Sequence, residues 1–221
     1  MSTLTTLPLA PLLENLFREC ARSTPENDPA VAQLPADELD RLMHSKTDYR
    51  ELYGMLSDLP LEVSRETGRL LYMLARSCRA RSIVEFGTSF GLSTLHLAAA
   101  LRDNGGGALI TTEFAPSKVA RARANLETSG LMDLVEIREG DALQTLATDL
   151  PETIDLLLLD GAKALYPDIL SLLESRLIPG ALIVADNADY SPEYLTYVRT
   201  PANGYLSVPF AEDVELSLRL G

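Results

Sequence analysis

The chain has 221 residues, 46% of them hydrophobic, and a formal net charge of −13. That is enough apolar material for one sizeable core with a small appendage. So acidic a surface repels phosphates and anionic headgroups, which argues against nucleic acid and membrane as partners. The two cysteines, Cys20 and Cys78, are far apart and give neither a disulfide framework nor a metal pattern. The start lacks a basic region followed by a long apolar run, and no stretch approaches the ~20 apolar residues of a membrane span. The expectation is a cytoplasmic protein.

Residues 1–60 read as a helical segment, a cap or dimerisation element ahead of a main domain at 61–221. Leu9, Leu12, Leu13, Leu16 and Phe17 share one helical face. A proline-rich connector, STPENDPAVAQLP, follows. ADELDRLMHSKTDYRELYGML reads as a second, patchier amphipathic segment. VSRETGRLLYMLARSC reads as a third helix, capped by Ser64 with Glu66 in its first turn.

The texture then changes to alternating strands and helices. SIVEF is a strand, GTSFG a turn and LSTLHLAAALR a helix. ALITTEF precedes the helix APSKVARARANLETSG, which a glycine closes. LVEIREG precedes the helix DALQTLATDL. IDLLLLD precedes the helix ALYPDILSLLESRL, and GALIVADN is the fifth strand. Strands as apolar as LLLL and ALIV need cover on both faces. GYLSVPF and DVELSLRL lie too close together for a crossover, so they should pair antiparallel. The expected fold is α/β: a Rossmann-like, seven-stranded, mostly parallel sheet with helices on both faces, a C-terminal antiparallel hairpin and added N-terminal helices.

The polar residues at the strand ends carry the chemistry. Gly87 and Gly91 permit a tight turn after the first strand and close approach of a ligand; a plain turn is the competing account. Glu85 inside that strand end suits an amine-bearing ligand better than a pyrophosphate. Glu113 closes the second strand, where a carboxylate can take both ribose hydroxyls, and Asp141 follows the third. The turn is not Gly-x-Gly-x-x-Gly, and the acidic rim disfavours a dinucleotide. Asp160 ends the fourth strand; Asp186 and Asn187 end the fifth. Taken singly, these are a polar strand terminus and an Asx turn. Taken together, on neighbouring strands about 4.8 Å apart, they form an all-oxygen set suited to Mg²⁺, Mn²⁺ or Ca²⁺.

IVEFGTSFGLSTLHLA, TTEFAPSKVARARANLETSGL, REGDAL, LLLLDGAK and IVADN, in this order, resemble a class I S-adenosylmethionine-dependent methyltransferase. The match runs from about Glu62 to Gly221, and the pairing of LDGAK with ADN resembles the catechol-type, metal-dependent O-methyltransferases. The resemblance implies S-adenosylmethionine (SAM) as cofactor, with Glu85, Gly87, Gly91 and Ser93 on its methionine and ribose side. It implies Glu113 at the ribose hydroxyls, Asp141 and Ala142 at the adenine edge, and Asp160 beside the cofactor. It assigns Asp160, Asp186 and Asn187 as ligands of a divalent cation. The acceptor is then a small hydroxyl compound, phenolic or vicinal. Lys163 would take its proton, given a pKa lowered by burial and the cation, so Lys163 and Asp160 are the catalytic candidates. Two departures stand out. Gly161 and Ala162 are small where the family often packs a bulky residue on adenine. YVRTPANGYLSVPF offers no match for the acid that grips a second catechol hydroxyl. The N-terminal helices would cover the acceptor pocket or build a homodimer. Two alternatives remain: metal-independent methyl transfer to a carboxylate or amine, and a non-catalytic SAM-binding partner protein.

Overall fold

A computed structural model describes residues 2–22, 33–210 and 213–221. The proline-rich connector lies mostly outside the described residues, as do two residues between the last strands.

Among the described residues, four α-helices precede the sheet: α1 (Leu9–Cys20), α2 (Ala36–His44), α3 (Tyr49–Met55) and α4 (Arg65–Ser77). Then follow β1 (Ser82–Phe86), α5 (Leu92–Asp103), β2 (Ala108–Glu113), α6 (Pro116–Ser129), β3 (Val135–Glu139), α7 (Ala142–Thr145) and β4 (Ile154–Leu159). The chain continues through α8 (Tyr166–Leu173), β5 (Leu177–Ala185), α9 (Pro192–Val198), β6 (Tyr205–Phe210) and β7 (Val214–Arg219). The sheet order is β3-β2-β1-β4-β5-β7-β6. The first five strands run parallel, and β7 pairs antiparallel with both β5 and β6.

The central strands are apolar throughout because both faces are covered. Leu156 and Leu158 of β4 enter a core shared with α1, α4, α5 and α6. Leu157 and Leu159 enter a second core on the opposite face with α8 and α9. The anticipated caps are present: the Ser64 hydroxyl accepts from the Thr67 N–H at 2.9 Å, and Gly130 closes α6 in the left-handed region.

Three expectations need correction. The segment at 36–56 is two helices, not one. The Ser45 hydroxyl oxygen accepts from the Asp48 N–H at 2.9 Å, and this local turn competes with helix continuation. DALQTLATDL forms one helical turn only. Arg138 draws the carbonyls of Thr145, Thr148 and Asp149 to its guanidinium, which ends the helix early. The helix α9 between β5 and the hairpin was not anticipated; Pro192 stands in its first turn.

Helices α2 and α3 pack largely on each other. Leu42, Leu52 and Leu56 form a small separate cluster, joined by Leu39, Met43, Leu59 and Leu61. This pair lies over the carboxyl ends of the parallel strands, where it reaches the site.

Candidate active site

The site is built where the parallel strands end. Leu158 pairs with Val184, and Leu159 with Ala185. One further step of the same register sets Asp160 beside Asp186. On the other side, Gly87 follows β1 and crosses so close to Asp160 that a Cβ at position 87 would lie 2.4 Å from the Asp160 carbonyl oxygen. Gly87 has φ +104°, which a side-chain-bearing residue rarely adopts.

Two clefts open at this edge. The first encloses roughly 660 Å³, including its open mouth. Phe86, Gly87, Glu113, Lys118, Asp141 and Ala142 line it together with Asp160 and Gly161. Five of the sequence candidates thus share one surface, Gly87, Glu113, Asp141, Ala142 and Asp160, while Gly91 caps α5 in the left-handed region. Glu113 is held by two backbone donors, the Ser89 N–H and the Ala115 N–H, each at 2.8 Å. Asp141 caps α7 through the Leu143 N–H at 3.0 Å.

Glu85 and Ser93 are placed differently. Both are buried beneath the start of α5 and do not line the cleft. Glu85 follows Ile83 onto the α5 face of β1, where the Thr94 hydroxyl donates to its Oε2 at 2.6 Å and Oε1 has no partner. Burial pushes the Glu85 carboxyl up to about 7, against the nearby Ser93, Thr111 and Thr94 hydroxyls, which lower it.

The second cleft opens at the neighbouring strand end, on Asp186. Phe17, Glu62, Arg65, Thr67, Asp186, Asn187 and Asp213 line it. The Asp186 carboxyl stands beside that of Asp160 at the neighbouring strand end. Burial first, and then the Asp160 charge, push it up to about 7. Asn187 sits in the left-handed region at φ 47° and donates its amide N–H to Asp213 Oδ2 at 3.0 Å. A carboxylate can only accept, so the Asn187 nitrogen faces Asp213 and its oxygen is left for another partner. Among the described residues, no three His, Cys, Asp or Glu side chains gather as a metal cluster. Asp160, Asp186 and the Asn187 oxygen nevertheless fit a hard cation. Two neighbouring carboxyl groups, Asp186 buried and Asp160 partly so, repel each other, and a divalent ion relieves both.

Lys163 is buried and donates to Asp160 Oδ1 at 2.9 Å. Two opposing effects act on it in the absence of a cation. Burial pulls it down, but Asp160, Tyr166, Tyr53 and Asp186 together hold the ammonium well above the usual lysine range. Without a cation on Asp160, Lys163 is a fixed counter-charge.

Several lining residues were not foreseen. Tyr49 and Tyr53 from α3 face the first cleft. The Tyr49 hydroxyl donates to Asp141 at 3.1 Å, Arg50 forms an ion pair with the same carboxylate, and the Tyr53 hydroxyl donates to the Gly161 carbonyl at 3.3 Å. Their i, i+4 spacing marks one helix face, but only tertiary packing shows what that face covers. The small Gly161 also finds its reason: a Cβ there would lie 2.5 Å from the Phe86 ring. Phe86 fills the space that a bulkier residue would take. Tyr166 and Tyr194 are core residues in edge-to-face contact at 5.8 Å, while Tyr190 is exposed. His96 is buried and its ring nitrogen Nδ1 meets the Leu92 carbonyl at 2.7 Å, a packed histidine.

Residues 84–188 match a family model described as a methyltransferase domain. Similarity extends to named enzymes. The chain is 38% identical to a catechol O-methyltransferase from Niastella koreensis over 72% of its own length and 71% of that protein's. The chain belongs to the class I S-adenosylmethionine-dependent O-methyltransferases. A catechol O-methyltransferase from Mycobacterium tuberculosis is 35% identical to this methyltransferase over 59% of each chain. Among solved structures, cofactor-bound Rv0187 from MTB superposes with a TM-score of 0.67 at 25% identity, covering 85% of the methyltransferase and 98% of that chain. The O-methyltransferase from Bacillus cereus, solved with SAH (S-adenosylhomocysteine), shares the fold at a TM-score of 0.67 and 22% identity, covering 99% and 95% of the two chains. SAM is therefore the cofactor of this methyltransferase. No described helix is long and apolar enough to cross a membrane.

Proposed function

We propose that this O-methyltransferase acts on a hydroxyl of a small phenolic or vicinal hydroxyl compound, assisted by a divalent cation held by Asp160, Asp186 and Asn187. The observation that carries this is the juxtaposition of the Asp160 and Asp186 carboxyl groups, the former lining the first cleft and the latter the second. The cofactor lies in the first cleft, bound at Glu113, Gly87 and Asp141, and the acceptor enters the second. Bound SAM supplies an electrophilic methyl group, and a divalent cation would favour the ionised acceptor hydroxyl, whose pKa is otherwise near 10 for a phenol.

The chain's own residues supply placement. Asp160 faces the cofactor and is itself fixed by Lys163. Asn187 is turned by Asp213 so that its oxygen is available. Phe17 and Val63 give the second cleft an apolar side, suited to a ring, while Glu62, Asp186 and Asp213 make its other side acidic. Holding acceptor oxygen and methyl carbon in line can replace an effective concentration on the order of 10⁵ M or more. With Lys163 engaged by Asp160, we assign it first to positioning that carboxylate; it takes the acceptor's proton only if cation binding frees it.

Mn²⁺ titration followed by electron paramagnetic resonance tests the assignment. Wild type should bind one ion, and Asp160→Asn and Asp186→Asn should each abolish the bound signal. Methyl transfer to a catechol-type acceptor should stop with EDTA and return with Mg²⁺ or Mn²⁺. Turnover unchanged by EDTA and by Asp160→Asn would leave the metal-independent mechanism standing instead.

A further inference from the structure

The cofactor cleft contains one charged group that the methyl transfer described above does not employ. Lys118 stands in the first turn of α6, is only 3% exposed, and lines the cleft together with Glu113. Among the described residues its ammonium has neither a hydrogen-bond nor an ion-pair partner. Glu113, Asp58 and Asp160 act on it through space, and burial outweighs them and lowers its pKa. An ammonium has three donors and no acceptor, and enclosing it in a cleft wall without a protein partner is unfavourable. The position is unfavourable a second time, because the amino end of a helix repels a cation. A residue held there in spite of both effects points at something that fills the cleft.

Glu113 shows what that is. Its two oxygens are fixed by the Ser89 and Ala115 N–H groups, and each oxygen keeps a free lone pair for a ribose hydroxyl hydrogen. A hydroxyl that gives its hydrogen to Glu113 turns its own oxygen lone pairs outward, and these require a donor. We propose that Lys118 is that donor, so that a carboxylate and an ammonium grip the cofactor's ribose hydroxyls from two sides. Lys118 is then a determinant of cofactor binding, acting on the nucleoside rather than on the amino-acid end. This rests on the cofactor assignment and is independent of the divalent cation. The start of α6 is also held in place by the Ser117 hydroxyl, which donates to the Ser57 carbonyl at 3.2 Å. That bond ties the helix bearing Lys118 to the chain segment after α3.

The test is calorimetric titration of metal-free protein with two ligands. S-adenosylhomocysteine carries both the ribose and the amino-acid carboxylate; 5′-methylthioadenosine keeps the ribose and lacks the carboxylate. Lys118→Met should weaken both by a similar factor of about 10–100, the range for a charge-assisted hydrogen bond. The same variant, measured without ligand, should melt no lower than wild type, since it removes an unpaired buried charge. Lys118→Gln, which keeps a donor without the charge, should fall between the two and serves if Lys118→Met does not fold. Unchanged affinity for both ligands overturns the proposal. A loss seen with S-adenosylhomocysteine but not with 5′-methylthioadenosine also overturns it, by placing Lys118 on the amino-acid carboxylate. Failure of wild type itself to bind either ligand would instead strike the cofactor assignment, and this proposal with it.

Discussion

Glu85→Gln is the sharpest single perturbation of the site's electrostatics. Glu85 is wholly buried at the end of β1, and burial raises its carboxyl from 4.5 to about 7. An acid whose folded pKa exceeds its unfolded one binds more protons when folded than when unfolded. Its folded form is therefore penalised as pH rises from the unfolded value through the folded one. At about 1.4 kcal/mol per pH unit, the full penalty is roughly 3 kcal/mol, of which about 2.5 kcal/mol develops between pH 5 and pH 8. Glutamine keeps the bond from the Thr94 hydroxyl and gives the unpartnered second position a donor, without any charge. Urea unfolding of ligand-free wild type and variant at pH 5, 6, 7 and 8 measures the difference. The variant should gain on wild type by roughly 2–3 kcal/mol across that window. Taking the difference between the two proteins cancels the parallel titration of Asp186, which is present in both. A gap that stays constant from pH 5 to pH 8 would refute the reasoning, because it would mean that Glu85 does not titrate there.

Three further outcomes are expected. Gly161→Ala drives a Cβ to 2.5 Å from the Phe86 ring and should destabilise the fold by about 1–3 kcal/mol in chemical denaturation, with Phe86→Leu restoring part of the loss. Asp213→Ala removes the carboxylate that turns the Asn187 amide; Mn²⁺ affinity measured by titration should fall about 10–100-fold, the usual effect of losing a group that orients a metal ligand. Arg50→Ala breaks the ion pair to Asp141, whose arginine is half exposed, so thermal stability should change by less than about 1 kcal/mol while S-adenosylhomocysteine dissociates faster in stopped flow.

The family could be read before any coordinates. Strands β1, β2 and β4 are short apolar runs bounded by glycine or acid, a pattern that depends on local sequence and survives without tertiary information. The close spacing of β6 and β7 excludes a crossover, so the hairpin was also legible. Helix α9 was not, because a seven-residue segment with proline at its start is stabilised by packing of Tyr194 and Val198 on the sheet rather than by propensity. The shortness of α7 was hidden for a similar reason: Arg138, on the preceding strand, captures the carbonyls that would have continued it.

At the site the division follows the range of the forces. Glu113, Asp141, Asp160, Asp186 and Asn187 each end or follow a parallel strand, and in a parallel sheet all such ends lie on one edge. Their convergence was therefore implicit in the order of elements along the chain. What sequence left undecided was everything set by contacts between distant segments. Tyr49 and Tyr53 line the first cleft from a helix far before Asp141 in the chain. Phe86 explains the glycine at 161, Asp213 turns Asn187, and Lys118 is buried beside Glu113. The charge state of Lys163 was set the same way. Its pKa is a balance between desolvation and four neighbouring side chains, and no spacing in the chain states which of them wins.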